Sequence, residues 1–221
     1  MGHNVVEDKT DDRTRIDRVI INSNCCYIVS DIQFLEKPNW VSWDDIRKCL
    51  NAAHKTNKKS GFEMRNSTIS TEDLLETMKD AHCFVALVGD KVVGVSCVKI
   101  ENKKKWYVRG PVIYYFGDGI LPEYRGTDVY FGINELRDKF VRDSGIKIHY
   151  FLTSEHNKTI IKINKKYGFK LVQYQPTKLK MANYYQVTMV RWDDGCPFPD
   201  WFLKFMFNLS KIVSKVFFKR K

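Results

Sequence analysis

The sequence has no run of about 20 apolar residues, no Cys-x-x-Cys pair and no acidic residue after Asp200. The first absence excludes a helix that spans a bilayer, which needs about that length. The second bears on metal and redox chemistry. The six cysteines, at 25, 26, 49, 83, 97 and 196, do not combine with the five histidines at metal-ligand spacing. No metal is therefore expected, and the cysteines read as buried free thiols in a reducing compartment. The third absence makes the charge uneven. The formal net charge is +11, but six of the 37 basic residues lie beyond Asp200 and none of the 26 acidic ones does. The first 200 residues thus hold 31 bases against 26 acids, a mildly basic body that suits anionic ligands. With no nucleic-acid-binding motif in it, nucleic acid is not an expected partner. Nothing signal-like opens the chain either: Met1 to Arg18 is polar and charged and reads as a disordered leader, which points to a cytoplasmic protein.

What is present suits one globular domain. Apolar residues make up 43% of 221, enough for a substantial core. Cys25 to Leu35 reads as a strand. Ser42-Trp-Asp-Asp45 resembles a capping box, with Trp43, Ile46, Leu50 and Ala53 at helical spacing behind it. A polar loop is expected from Lys55 to Arg65, then a second N-cap signal at Ser70 and Asp73 opening a short helix. Cys83 to Val88, Gly89-Asp90 and Val92 to Ile100 form a hairpin signature. A lysine-rich loop at 103–105 leads to the run Val112–Phe116, which ends in Gly117-Asp118-Gly119. A glycine on each side of one residue at a strand end predicts a bulge or a splay. Val129, Ile133, Leu136 and Phe140 mark one face of a helix of about four turns. Ile146 to Leu152 follows as a strand, Asn157 to Tyr167 as a helix with Gly168 as its C-cap, and Phe169–Tyr174 with Tyr184–Trp192 as a closing hairpin. This order implies a mixed α/β sheet with helices on both faces.

Two local motifs carry the chemistry. The first is Pro122-Glu-Tyr-Arg125-Gly126-Thr127-Asp128-Val129-Tyr130 between a strand and a helix; the second is Asn157 opening a helix that ends in Tyr167-Gly168-Phe169. A helix N-terminus carries unpaired N–H groups and partial positive charge, so it attracts a phosphate. In this order, over Cys25 to Trp192, the two motifs resemble those of the GNAT superfamily of N-acetyltransferases, with its Pro-x-x-Arg/Gln-Gly-x-Gly-x-Gly/Ala turn. The resemblance implies a mixed, mostly antiparallel sheet with splayed central strands and helices on both faces. It also implies acetyl-CoA as donor substrate, lying between the strands that end at Ile120 and Leu152. The backbone of Asp118, Gly119 and Ile120 would pair with the pantetheine arm. Arg125, Gly126, Thr127, Asp128, Val129 and Tyr130 would meet the pyrophosphate, and Asn157 would support the donor from the next helix. The bulge would present a backbone N–H to the thioester carbonyl.

Three residues depart from the family pattern. Asp128 brings negative charge to a usual Gly position, and Tyr130 brings bulk to a second small one. Asn164 stands where the family often has the tyrosine that protonates the leaving thiolate, and an amide is no acid at neutral pH. Tyr167 is expected to pack beside Phe169. Thr127 or Asp128 also suits a helix N-cap, so Asp128 reads either as a cap or as part of a bent phosphate site. Tyr114 and Asp118 are the residues of the third strand best placed to touch an acceptor amine, with Asp118 or a water relay taking its proton. His149 and His156 are expected to be packed or solvated. The activity implied is acetyl transfer to a primary amine of a small molecule, an amino sugar or a lipid-linked acceptor. An acyl carrier protein is the alternative donor, because its arm lacks the coenzyme's pyrophosphate. A non-catalytic binding module on the same scaffold is the third reading.

The chain thus divides into a leader at 1–18, an acyltransferase domain at 19–192, a linker at 193–200 and a C-terminal amphipathic helix at 201–221. At ~100° per residue Trp201, Phe202, Phe205, Leu209, Ile212, Val213 and Val216 fall on one side, and Lys204, Asn208, Lys211 and Lys215 share a narrow stripe. That pattern describes an interfacial helix on an anionic membrane surface, which would place the protein peripherally at the inner face. The alternative is that the face docks on the body or in a dimer.

Overall fold

The computed structural model describes residues 20–22, 26–29, 31–59, 69–177 and 184–217; the expected leader at 1–18 lies outside them. The elements run β1 (Ile20–Asn22), β2 (Cys26–Val29), β3 (Ile32–Glu36), α1 (Trp43–Lys59), α2 (Thr71–Met78), β4 (His82–Val88), β5 (Lys91–Lys105) and β6 (Val108–Ile120). They continue with α3 (Val129–Asp143), β7 (Ile148–Ser154), α4 (Lys158–Lys166), β8 (Lys170–Pro176), β9 (Tyr185–Trp192) and α5 (Asp200–Phe217). The strands form one sheet in the order β1-β2-β3-β4-β5-β6-β7-β9-β8. Every neighbouring pair is antiparallel except β6 and β7.

The helix starts follow the local chemistry. Ser42 Oγ accepts the Asp45 amide at 3.1 Å and donates to Asp45 Oδ2 at 2.6 Å. Ser70 Oγ accepts the Asp73 amide at 3.1 Å. The two amide bonds each satisfy a donor that the first helical turn leaves unpaired. In the same first turn, hydrogen bonds from Lys48 and Arg47 pull the Asp44 carboxyl down to about 2. At the far end of α4, Gly168 takes φ +83° and the Phe169 amide returns to the Asn164 carbonyl at 3.1 Å, the glycine stop expected there.

Helices cover both faces of the sheet, and glycines let them come close. A Cβ on Gly94 of β5 would stand 2.6 Å from Ile133 and 2.8 Å from Val129 of α3. On the opposite face, a Cβ on Gly119 of β6 would stand 3.0 Å from Leu50 and 3.1 Å from Ala53 of α1. Cys49, Cys83 and Cys97 are free thiols buried in this core; burial pushes Cys49 up to about 12 and Cys97 upward as well. Thiols so placed are unreactive.

Three expected elements differ. Cys25 to Leu35 is not one strand but a hairpin, β2 against β3, with Val29 opposite Ile32. Helix α1 runs on to Lys59, past the start of the expected polar loop. The lysines at 103–105 lie in β5, which pairs with β6 as far as Lys105 and Val108. That ribbon tolerates its charge because Glu101 bridges Lys99 at 2.8 Å and Lys103 at 2.5 Å, while both ammonium groups lie over aromatic rings.

Helix α5 docks along β8, the edge strand. Ser210 Oγ accepts the Tyr174 amide at 2.9 Å, and Ser214 Oγ donates to the Tyr174 carbonyl at 2.9 Å. Two serines one turn apart thus satisfy both outward backbone groups of one strand residue and cover an edge open to pairing with other strands. Leu203 is buried in a second apolar cluster with Tyr107, Val172 and Val190.

Candidate active site

β6 and β7 pair over only three positions, from Ile113–His149 to Tyr115–Phe151, and then part. Just beyond that point β6 bulges. Gly94 faces Ile120 and Val95 faces Gly119, but Cys97 faces Phe116, so Gly117 and Asp118 together stand opposite Ser96. Gly117 takes φ +65°, which favours glycine. The sequence-predicted bulge is therefore present, and one extra residue has a consequence for direction. Side chains alternate along a strand, so an unbroken β6 would send Tyr114, Phe116 and Asp118 to one face. The bulge turns Asp118 to the other.

The Asp118 carboxylate accepts the Ser96 hydroxyl at 2.7 Å and lies 3.6 Å from the Arg137 guanidinium of α3, which itself donates to Ser96 Oγ at 3.0 Å. The side chain is 56% exposed. Burial raises its pKa, opposed by Arg137 and by bonds from Ser96 and the Cys97 amide. Its backbone carbonyl points the other way and receives His54 Nε2–H of α1 at 2.7 Å. Burial lowers the His54 pKa, with the bond to Asp118 working against it. Tyr114 lies on the face opposite Asp118, stacked on Phe116 at 5.2 Å and against Tyr150 at 4.8 Å. The two candidate acceptor-touching residues are thus not brought together.

The turn after β6 begins with a single 3-10 turn, Pro122–Tyr124. The Arg125 side chain bonds the Ala53 carbonyl of α1 and, at 3.4 Å, the Ile120 carbonyl, so its guanidinium ties the turn to the body. Gly126 takes φ +77°. Thr127 Oγ donates to the Tyr124 carbonyl at 2.6 Å and accepts the Val129 amide at 3.4 Å. Asp128 occupies the N-cap position of α3, but its exposed carboxylate makes no cap bond. Thr127 therefore does the capping. Val129 is buried. Tyr130 is half-buried and, with Asn134, closes one side of a cleft of about 30 Å³ whose strand side is Ser96, Asp118, Gly119 and Ile120. Burial and the nearby Asp118 raise the Tyr130 pKa. A larger cavity, about 620 Å³, opens beside Pro122 against α1 and the β4–β5 turn, walled by Cys49, Lys91 and Glu123 among others; it shares no wall with the cleft.

On α4, Asn157 is the N-cap, its Oδ1 accepting the Ile160 amide at 3.4 Å. Asn164 Nδ2 folds back to the Ile160 carbonyl at 3.0 Å. Tyr167 is 53% exposed rather than packed; Phe169 packs instead on Tyr115 and Phe151. His149 is buried at the first of the three β6–β7 pairs, opposite Ile113. The Tyr115 hydroxyl donates to its Nδ1 at 2.8 Å, and its Nε2–H donates to Asp193 at 2.9 Å, itself held by Arg191 at 3.0 Å. His156 is half-exposed. Among the described residues no three His, Cys, Asp or Glu side chains gather as a metal site.

His54, Ser96 and Arg137 were not singled out from the sequence. Each reaches the bulge from a different element, and no local pattern marks that convergence.

No protein-family model matches the sequence, and no curated protein does. Solved structures do match. An acetyltransferase from Streptococcus agalactiae aligns with TM-score 0.53 and 18% identity over 74% of this chain and 99% of that one. An acetyltransferase of the GNAT family from Streptococcus pneumoniae aligns with TM-score 0.51 and 13% identity over 73% and 99%. The NatC complex, solved with Gag peptide and CoA, aligns with TM-score 0.55 and 12% identity over 73% and 98%. With one parallel strand pair that splays beside a bulge, and with helices on both faces, the chain has the fold of the GNAT superfamily of N-acetyltransferases.

Proposed function

We propose that the chain is an N-acyltransferase that moves an acetyl group from acetyl-CoA to a primary amine, with residues 19–192 as its catalytic domain. The observation that carries this reading is the coincidence of the β6–β7 split with the bulge at Gly117–Asp118, directly before the turn into α3. A thioester arm laid in the split would meet backbone groups of Asp118, Gly119 and Ile120, and its diphosphate would meet the N–H groups at Gly126 to Tyr130. That a neighbour of this fold was solved with CoA supports the choice of donor.

In the reaction the amine nitrogen attacks the thioester carbonyl carbon. A C–N bond forms, the C–S bond breaks, and the thiolate leaves and takes a proton. The proton lost by the amine goes to Asp118, whose raised pKa suits that task, or to a water beside it. Asn164 supplies no proton, so water is the acid for the thiolate. The acceptor class is a small molecule, an amino sugar or a lipid-linked amine, met on the cytoplasmic side of a membrane.

An acyl carrier protein as donor is favoured by a separate set of observations. Arg125 is committed to Ala53, Asp128 presents a carboxylate, and Tyr130 narrows the cleft. Titration calorimetry with coenzyme A, followed by transfer assays with acetyl-CoA and with an acyl carrier protein on an amine panel, tests both. Coenzyme A binding with turnover supports the first reading. Turnover only from the carrier protein supports the second, and turnover from neither refutes both in favour of a binding module.

A further inference from the structure

Helix α5 presents three arcs. At ~100° per residue, Leu203, Phe207, Ser210 and Ser214 share the arc turned to β8, where the two serines hold Tyr174. Trp201, Phe205, Leu209, Ile212 and Val216 share the arc on the far side, and all are exposed, Trp201 at 69% and Ile212 at 61%. Lys204, Lys211 and Lys215 share a third arc at the border of that apolar face. The serine bonds fix the rotation of the helix, so the aromatic and branched residues cannot turn inward. Trp106, itself partly exposed, extends the patch through edge contacts with Phe198 and Phe202 at 5.6 and 5.8 Å. A contiguous apolar surface of this kind is uncommon on a soluble monomer unless it binds something.

We infer that this face is a lipid-docking surface: α5 lies in the plane of an anionic bilayer, with its apolar arc among the acyl chains and its lysines at the headgroups. Charge decides the occupant. The only acid on α5 is Asp200, held by Lys170 at 3.1 Å, so the helix offers cations alone beside its apolar arc. The sequence adds Lys219, Arg220 and Lys221. A two-fold dimer through this arc would bring two lysine stripes together with no acid of α5 to offset them. Anionic headgroups complement the stripe, lysine stems reach them from the border of the apolar face, and tryptophans suit the water–hydrocarbon boundary. Among the described residues no helix is long and apolar enough to cross a membrane, so attachment is in-plane.

The test uses the full chain with phosphatidylcholine vesicles, with and without phosphatidylserine, and three variants. Ile212→Glu and Phe205→Glu alter only the outward arc; a Lys204/Lys211/Lys215→Gln triple removes the stripe. Co-sedimentation is expected with anionic vesicles and much less with neutral ones. Each Glu variant is expected to lose at least about tenfold in partitioning, and the triple about a hundredfold at low salt. Unchanged binding in the variants overturns the inference. So does absence of vesicle binding, whether the chain is monomeric or, by sedimentation velocity, forms a dimer that Ile212→Glu dissolves. Transfer to a soluble amine is expected to survive Ile212→Glu, which keeps this result separate from that for acyl transfer.

Discussion

Replacing Asp128 by glycine isolates the charge in the turn before α3. The carboxylate is exposed and makes no cap bond, because Thr127 already accepts the Val129 amide. The usual loss on replacing an Asp cap by Gly, a few tenths of a kcal/mol, is therefore an upper bound on the stability effect. The effect on a diphosphate is larger. Two unit charges ~6 Å apart repel by about 0.7 kcal/mol in a water-like dielectric and about 2.8 kcal/mol at an effective value of ~20. For an exposed carboxylate the lower figure applies. Doubled for two phosphate charges, it gives about 1.4 kcal/mol, roughly tenfold in affinity. The N-terminus of α3 contributes only about half a positive charge, so it offsets about half of that repulsion. Calorimetry with coenzyme A should thus show Asp128→Gly binding about tenfold tighter at low salt. The gain should fall below about twofold near 1 M salt, where the screening length is ~3 Å. Equal affinity of variant and parent, or a gain that ignores salt, would refute the placement of a diphosphate at this turn.

Two further outcomes concern the scaffold. His149→Leu removes both bonds of a buried imidazole and strands the Tyr115 hydroxyl, so it should cost about 2–4 kcal/mol and lower Tm. Burial, first, and then the charge of Arg191 lower the His149 pKa, so the unfolded chain binds its proton first as pH falls. Its contribution is complete above an unfolded value near ~6.5 and is lost as pH drops through the folded value; urea melts at stepped pH should show this component in the parent and not in the variant. Gly132→Ala would place a Cβ 2.6 Å from two carbons of the Phe34 ring, an overlap that only a shift of α3 or β3 relieves. A loss of about 1–3 kcal/mol is expected, partly recovered by Phe34→Leu, and a neutral Gly132→Ala would contradict the close packing of α3 on the sheet.

The elements legible in the sequence were those set by local chemistry. Ser42 and Ser70 cap helices because a short hydroxyl satisfies an amide three residues on, and Gly168 ends α4 because its backbone is left-handed. The Gly117-Asp118-Gly119 spacing announced the bulge for the same reason. What was not legible depended on partners distant in the chain. The continuation of β5 through Lys103 draws on Glu101, Tyr114 and Tyr150, which lie beside its ammonium group. The aromatic face of α5 showed in the sequence, but which arc would meet the body did not. Two serines on the arc opposite the exposed aromatic face decided that by bonding the outward backbone of Tyr174.

The bulge also explains why Asp118 and Tyr114, which a regular strand would place on one face, do not come together. Alternation along a regular strand puts residues four apart on one face, and one inserted residue reverses that relation. Asp118 is consequently shared between faces. Its carboxylate belongs to the α3 side with Ser96 and Arg137, and its carbonyl to the α1 side with His54. In the proposed reaction the thioester lies between the parted strands, at the boundary of the two faces. An amine arriving on the α3 side meets a carboxylate whose pKa burial has raised. On the α1 side the His54 imidazole, whose pKa burial has lowered, gives its Nε2–H to the Asp118 carbonyl. Both shifts draw the group toward the range in which a base works at neutral pH or stays unprotonated there. In the proposed reaction the raised pKa of Asp118 therefore suits it to take the amine proton, while His54, with its Nε2–H given to the Asp118 carbonyl, holds the backbone of the bulge.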